Sequence, residues 1–373
     1  MTVQLDQAVG DQALDFLARL GANPAVAFYE HDVAFAITSI LGQLGLSYYM
    51  DQYGNIIVRI PGKGPDTVPL ALVAHMDHPG FEALSVQGEY LVGVASGGVP
   101  AGAFRAGVPL HVVLPGGERL PAVVEGRHGD EASREVLISL RHPQAVELPR
   151  PVVFDLPDYR LEGDTIHMRA VDDLAGCASI LATLGVLASR PPAGDVYGMF
   201  TRAEEVGLVG ARLAAGAGTL PPETLVLSAE SSRALPGAEA GEGPVIRVGD
   251  AGFTFDAEAE SAMIRARETL QARPQGFKVQ RQLMSGGTCE ASAFAIYGYR
   301  TTGIAFPLGN YHNGGADGRI EAEFIRVEDF IGGIQLMVET AHRVSDRANT
   351  GVQQRLRIVP EDLRRRLEET SLE

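Results

Sequence analysis

Tryptophan is absent from this 373-residue chain, and only two cysteines, Cys177 and Cys289, are present. Two thiols build neither a disulfide framework nor a zinc-thiolate cluster, so each reads as a small buried residue. Basic charge is scarce as well. Thirty-one lysines and arginines face 47 aspartates and glutamates, a formal net charge of -16. That balance argues against nucleic acid or an anionic membrane as partner, because their phosphates would be repelled. It leaves a cation site open. No stretch reaches the roughly 18 consecutive apolar residues of a membrane span. The opening "MTVQLDQAVGDQALDF" has neither the basic start nor the apolar run of a secretory signal. No low-complexity tract or internal repeat is visible. A soluble cytoplasmic protein is the expectation.

The chain is 45% hydrophobic and 21% charged, enough for a sizeable core and against wholesale disorder. Its length suggests two domains, or one large domain with an insertion. "VAFYEHDVAFAITSILGQLG" spaces its apolar residues helically and ends in glycine, predicting a helix over residues 30–44. "SYYMDQYGNIIVRIPGKG" predicts a hairpin turning near Tyr53-Gly54-Asn55, and "VPLALVAHMD" a buried strand. From Pro79 to about Thr165 the texture changes to short alternating runs such as "YLVGVAS" and "EVLISLRH", cut by Gly/Pro turns. This predicts a small all-β module. Beyond it, strands alternate with helices, ending in the long helix of "RVEDFIGGIQLMVETAHRV". The predicted fold is α/β, a mostly parallel sheet flanked by helices, interrupted by a β-rich, barrel-like insertion. The divided α/β domain takes residues 1–79 and 165–373, and the insertion 80–164.

Polar residues cluster where apolar runs stop. "LALVA" runs into His75-Met76-Asp77, "VYGMFT" into Glu204-Glu205, "TLVLSA" into Glu230, and "GIAFPLG" into Asn310-Tyr311-His312. "HMRAVDDLAG" sets Asp172-Asp173 just before a helix. Each has an ordinary reading alone: "EE" as a solvated helix start, "DD" as an N-cap, either histidine as a hydrogen-bonded bystander. Taken together they all sit where α/β sheets bind ligands, beyond the carboxyl ends of the strands. Two imidazoles with several carboxylates suit a divalent ion. The acids outnumber the needs of one zinc, and two ions about 3.5–4 Å apart would use them and offset their repulsion.

The motifs "AHMD", "RAVDDLAGC", "RAEEVGLVGA", "GEGPVIRVGDAG", "SGGT" and "YHN" follow one another in this order. Over essentially its whole length the chain resembles the co-catalytic zinc aminopeptidases of the TET, or glutamyl-aminopeptidase-like, family. The resemblance implies that His75 and Glu230 hold one metal, that Glu205 and His312 hold the other, and that Asp172 bridges both. Glu204 takes the role of general base, Asp77 orients His75, and the Asp172–Asp173 peptide is cis. The implied cofactors are two divalent ions, zinc first, with cobalt or manganese possible. The implied partners are a small peptide substrate and further copies of the chain, joined through the β-rich insertion as a dimer or a larger shell. Three departures stand out: Glu230 and Cys289 replace the family's usual aspartates, and "YHNGGAD" replaces its His-Ser with a following proline. The function expected is metal-assisted removal of N-terminal residues from peptides. A related amidohydrolase, deacylase or carboxypeptidase is the alternative within enzymes. A non-catalytic oligomeric binding protein is the alternative outside them. The acidic balance gives no reason to expect a preference for acidic peptides.

Overall fold

The computed structural model describes residues 7–64, 67–130 and 132–371. Two helices, α1 (Gln7–Gly21) and α2 (His31–Gln43), lead into a hairpin of β1 (Tyr48–Met50) and β2 (Ile56–Ile60). The turn is tied by Asp51, whose carboxylate accepts from the amides of Tyr53 and Asn55. β3 (Leu70–His75) follows, buried at every position. The chain then enters six antiparallel strands: β4 (Gly80–Gln87), β5 (Tyr90–Ser96), β6 (Pro109–Val113), β7 (Arg119–His128), β8 (Glu135–Leu140) and β9 (Arg150–Phe154). They close into a barrel in the order β4-β5-β8-β7-β6-β9, which removes the sheet edges. Phe81, Phe104 and Phe154 fill its interior with edge-to-face contacts.

Past the barrel, β10 (Arg160–Glu162) and β11 (Thr165–Met168) pair with a late strand, β17 (Glu323–Arg326). The main sheet is then completed by α3 (Val171–Ser189), β12 (Val196–Thr201), α4 (Val209–Gly216), β13 (Leu225–Arg233), β14 (Val245–Gly249), α5 (Ala257–Gln271), β15 (Gln280–Leu283), α6 (Glu290–Ala295), β16 (Arg300–Leu308) and α7 (Val327–Arg343). Its order is β1-β2-β12-β3-β13-β16-β14-β15. The four central strands β12, β3, β13 and β16 run parallel, and β2 and β14 flank them antiparallel. Parallel strands are buried on both faces, which is why their sequences are almost unbroken apolar runs. The larger core packs α1, α2, α3, α5 and α7 on one face, and a smaller one packs α4 and α6 on the other.

α7 is the last long helix but not the last one. Two short helices, α8 (Gly351–Arg357) and α9 (Glu361–Glu369), follow and are exposed throughout α9. α3 is long and apolar enough to cross a membrane by length and composition, but its apolar residues are buried between the sheet and α1 and α7.

Candidate metal centre

The parallel register sets the site. His75 ends β3 level with Thr201, the last residue of β12, and Glu230 of β13 lies level with Ala305 of β16. The sheet therefore delivers His75, Glu204, Glu205, Glu230 and His312 to one crevice. α3 starts opposite it and brings Asp172. The two oxygens of Asp172 look in different directions. Oδ1 is 3.3 Å from His75 Nε2, and Oδ2 is 3.7 Å from His312 Nε2. Glu230 Oε1 lies 3.8 Å from His75 Nε2, and Glu205 Oε1 lies 3.7 Å from His312 Nε2. Glu204 Oε2 is 3.8 Å from His75 Nε2 and lines the open cleft. The Asp172–Asp173 peptide is cis.

Hydrogen bonds fix which face each imidazole presents. His75 Nδ1 donates to the Asp77 carbonyl at 2.9 Å, leaving Nε2 without a hydrogen-bond partner in the crevice. His312 Nδ1 donates to the Gly98 carbonyl at 3.0 Å, which likewise turns Nε2 inward. A neutral imidazole bonded in this way is prepared to bind a cation. The Asp77 carboxylate lies 3.7 Å from His75 and accepts instead from the amides of Glu204 (2.9 Å) and Glu205 (3.1 Å). Asp77 thus orients the histidine through its carbonyl and the glutamate pair through its carboxylate.

The loop that presents the glutamates is held at many points. Ala203 and Leu208, on either side of the pair, take positive φ of 54° and 58°, a conformation that costs side-chain-bearing residues about 1–2 kcal/mol each. Buried Glu30 accepts from the Ala203 amide and from Arg202 Nε, and Asn55 Oδ1 accepts from the Arg202 amide. The amides of Leu208 and Val209 return to the carbonyls of Glu204 and Ala203. Such bracing is what lets a sparsely populated backbone persist.

The electrostatics call for positive charge. Burial pushes the Glu204 carboxyl well above the usual range; His75 opposes that shift and Glu205 adds to it. Burial, then Asp172, does the same to Glu205. Asp172 is pushed up to about 6, first by burial. His75 Nε2, Asp172 Oδ1, Glu205 Oε1 and Glu230 Oε2 are all buried with no hydrogen-bond partner. Unsatisfied buried polar atoms are costly, and here they converge. Donor atoms come within 4.8 Å of one another in three sets: His75–Glu204–Glu205, His75–Asp173–Glu230 and Asp172–Glu205–His312. These residues fit divalent cations in adjoining positions.

Residues 143–322 match the profile of the family described as M42 glutamyl aminopeptidase. The matched stretch is just under half of the chain. Its fold is similar to that of a TET aminopeptidase from Thaumarchaeota archaeon SCGC AB-539-E09, with 20% identity, a TM-score of 0.77, and coverage of 90% of this chain and 100% of that one. It is also similar to the TET1 peptidase of Pyrococcus horikoshii, with 22% identity, a TM-score of 0.74, and coverage of 88% and 99%. Peptidase T of Aeromonas hydrophila subsp. hydrophila is 27% identical over 190 residues, 50% of this chain and 38% of that protein. The chain spans about half or less of the length of the curated relatives it matches.

Three residues of this site escape a reading of its sequence. Glu323, at the start of β17, accepts from the amides of Val171, Asp172 and His312 at 2.8, 3.0 and 2.9 Å. One carboxylate thereby ties the Asp172 turn to the His312 loop. Arg247 is buried in β14, with Nη1 paired to Glu230 Oε2 at 3.8 Å and no hydrogen-bond partner for Nε or Nη1. Glu290 accepts from Thr201 and Ser228 behind the crevice. Only Arg247 left a signal, as a lone charge in the apolar run "GPVIRVG". Cys289 donates its amide to Asp250 and lies buried at the start of α6.

Proposed function

We propose that this chain is a metal-dependent aminopeptidase that hydrolyses N-terminal residues from peptides. One observation carries the reading: the split orientation of Asp172 between two donor sets, His75 with Glu230 and His312 with Glu205. In this reading Asp172 would serve both ions, with His75 and Glu230 holding one and Glu205 and His312 the other. The mixed imidazole and carboxylate donors suit zinc first, and cobalt or manganese after it. When bound, the ions supply Lewis acidity at the scissile carbonyl and lower the pKa of water towards about 7.

The protein's own groups do the rest. Glu204 is left over once five ligands are assigned, and it faces the cleft. Its raised pKa suits a group that accepts a proton from the attacking water and returns it to the leaving amine. Asp77 holds the Glu204 and Glu205 amides so that the base and its neighbouring ligand keep separate directions. The acids around the crevice attract a protonated peptide N-terminus. The Tyr311 ring, stacked on His312 with centroids 3.7 Å apart, walls one side.

Glu204→Gln should retain both ions and lose turnover by about 10²- to 10⁴-fold. Glu205→Gln should lower bound metal itself, read by metal analysis of the purified protein. Aminoacyl anilides should be cleaved and N-acyl amino acids should not; the reverse preference would place the chain with the deacylases. We also propose self-association through the barrel. The Pyrococcus horikoshii TET1 peptidase can assemble into a tetrahedron or a large octahedral shell. Sedimentation of the intact chain would read its own state, and a monomer at all concentrations would refute the proposal.

A further inference from the structure

The two donor sets differ in what supports them. Behind His75 and Glu230 stand residues of the α/β body, Asp77 and Arg247. Behind His312 and Glu205, whose amides Glu323 and Asp77 also hold, stands the barrel. The turn after β5 puts Gly98 against both: its carbonyl accepts from His312 Nδ1, and its amide donates to Glu205 Oε2 at 3.4 Å. The fit allows no side chain. A Cβ on Gly98 would lie 2.1 Å from His312 Nδ1, and one on Gly97 would lie 2.9 Å from Glu205 Oε2. Gly97 also has φ of +81°, where a side chain is strained. The turn is tethered to the barrel by Arg134, whose Nη2 donates to the Gly97 carbonyl at 2.5 Å. The loop that carries His312 leans on the barrel a second time. A Cβ on Gly102 would lie 2.0 Å from the Gly318 carbonyl, and Ile320 packs on the barrel's core.

We infer that the Gly97–Gly98 turn is a positioning element for one metal pocket only. It makes the Asp172–Glu205–His312 pocket depend on the seating of the barrel, while the His75–Asp172–Glu230 pocket depends on the sheet. The inference rests on the two-metal reading above. Gly98 fixes the tautomer and ring orientation of His312, and loss of such a partner typically weakens a metal 10–100-fold.

Zinc titration of the full chain by calorimetry, with metal analysis after gel filtration, tests this. Four proteins are needed: unaltered chain, Gly98→Ala, Arg134→Gln and Gly88→Ala. Gly88 is the control; it has φ of +62° in the β4–β5 turn, and its Cβ would meet nothing within 4 Å. The unaltered chain and Gly88→Ala should bind two ions alike. Gly98→Ala should keep one tight ion and bind the second at least about tenfold more weakly. Arg134→Gln, which leaves the pocket's own atoms intact, should weaken the same ion by less. Two unaltered sites in Gly98→Ala, or equal weakening of both, would overturn the inference. Should Gly98→Ala fail to fold, unchanged binding in Arg134→Gln would overturn it. An unaltered chain that binds fewer than two ions would refute the two-metal reading instead.

Discussion

His78 is buried beside the crevice, and its hydrogen bonds leave it no freedom. The Ala25 amide donates to Nε2, and Nδ1 donates to the Pro79 carbonyl, both at 3.1 Å. A second proton would set N–H against N–H. Burial, helped by the Arg169 charge, pulls its pKa down to about 3. In the unfolded chain the ring titrates near 6.5. Between these values the unfolded state binds the extra proton and the native state does not, so stability falls as pH drops from about 6.5 towards 3. Each unit of difference is worth about 1.4 kcal/mol. His78→Gln removes the titration, so its urea midpoint should depend less on pH across that window than that of the unaltered chain; equal slopes would sink the argument. His78 also marks what a sequence can tell at this scale. His75, Glu204, Glu205, Glu230 and His312 were legible because each follows an apolar run, and Asp172 because it stands just before a helix. Glu323 and Glu290 were not, because their roles lie in distant amides and hydroxyls that only the tertiary fold brings to them.

Among elements, the buried strands and the 30–44 helix were legible from period and punctuation. α5 was less so: its buried face is largely alanine, Ala259, Ala262 and Ala266 with Met263 and Leu270, and gives little hydrophobic contrast. The glutamate pair reads in sequence as a helix start, yet α4 begins only at Val209. Between them lies the braced loop, and its closeness to the helix sets a further expectation. A Cβ on Gly210 would lie 2.4 Å from the Arg202 carbonyl and 2.6 Å from Asn55 Oδ1. Both are backbone or hydrogen-bonded atoms that cannot swing aside. Gly210→Ala should therefore cost about 1–3 kcal/mol, as overpacking does. It should also displace the 202–209 loop and lower kcat more than a surface Gly→Ala change such as Gly42→Ala, whose Cβ would meet nothing within 4 Å. Urea unfolding and steady-state kinetics on the two variants would separate strain at the loop from a general loss of stability.

At the scale of the whole molecule, the change of texture near residue 80 announced a β module. How its Gly97–Gly98 turn meets the site was hidden, because its contacts with Glu205 and His312 join residues 107 and 214 positions apart. The crevice's charge is also a property of the whole. Burial raises Asp172 to about 6 and Glu290 to about 7, and drives Glu204, Glu205, Asp173 and Glu323 upward with them. These folded-state values lie above those of the unfolded chain, near 4. Their contribution is therefore present below about pH 4 and is lost as pH rises through 6 to 7, when buried carboxylates must ionise. Cations held by the same groups would remove that loss and expel the protons, because the ligands bind deprotonated. With a chelator, the melting temperature should fall as pH rises from 6 to 8. Below about 6.5 the single His78 offsets only part of the gain that these six acids bring as pH falls. With zinc at about 100 times its dissociation constant, the native state gains about 2.7 kcal/mol per independent site, and the decline above pH 6 should flatten. Calorimetry in buffers of differing ionisation enthalpy should detect the released protons. Parallel stability curves with and without metal, or binding without proton release, would mean that the crevice acids are not the ligands.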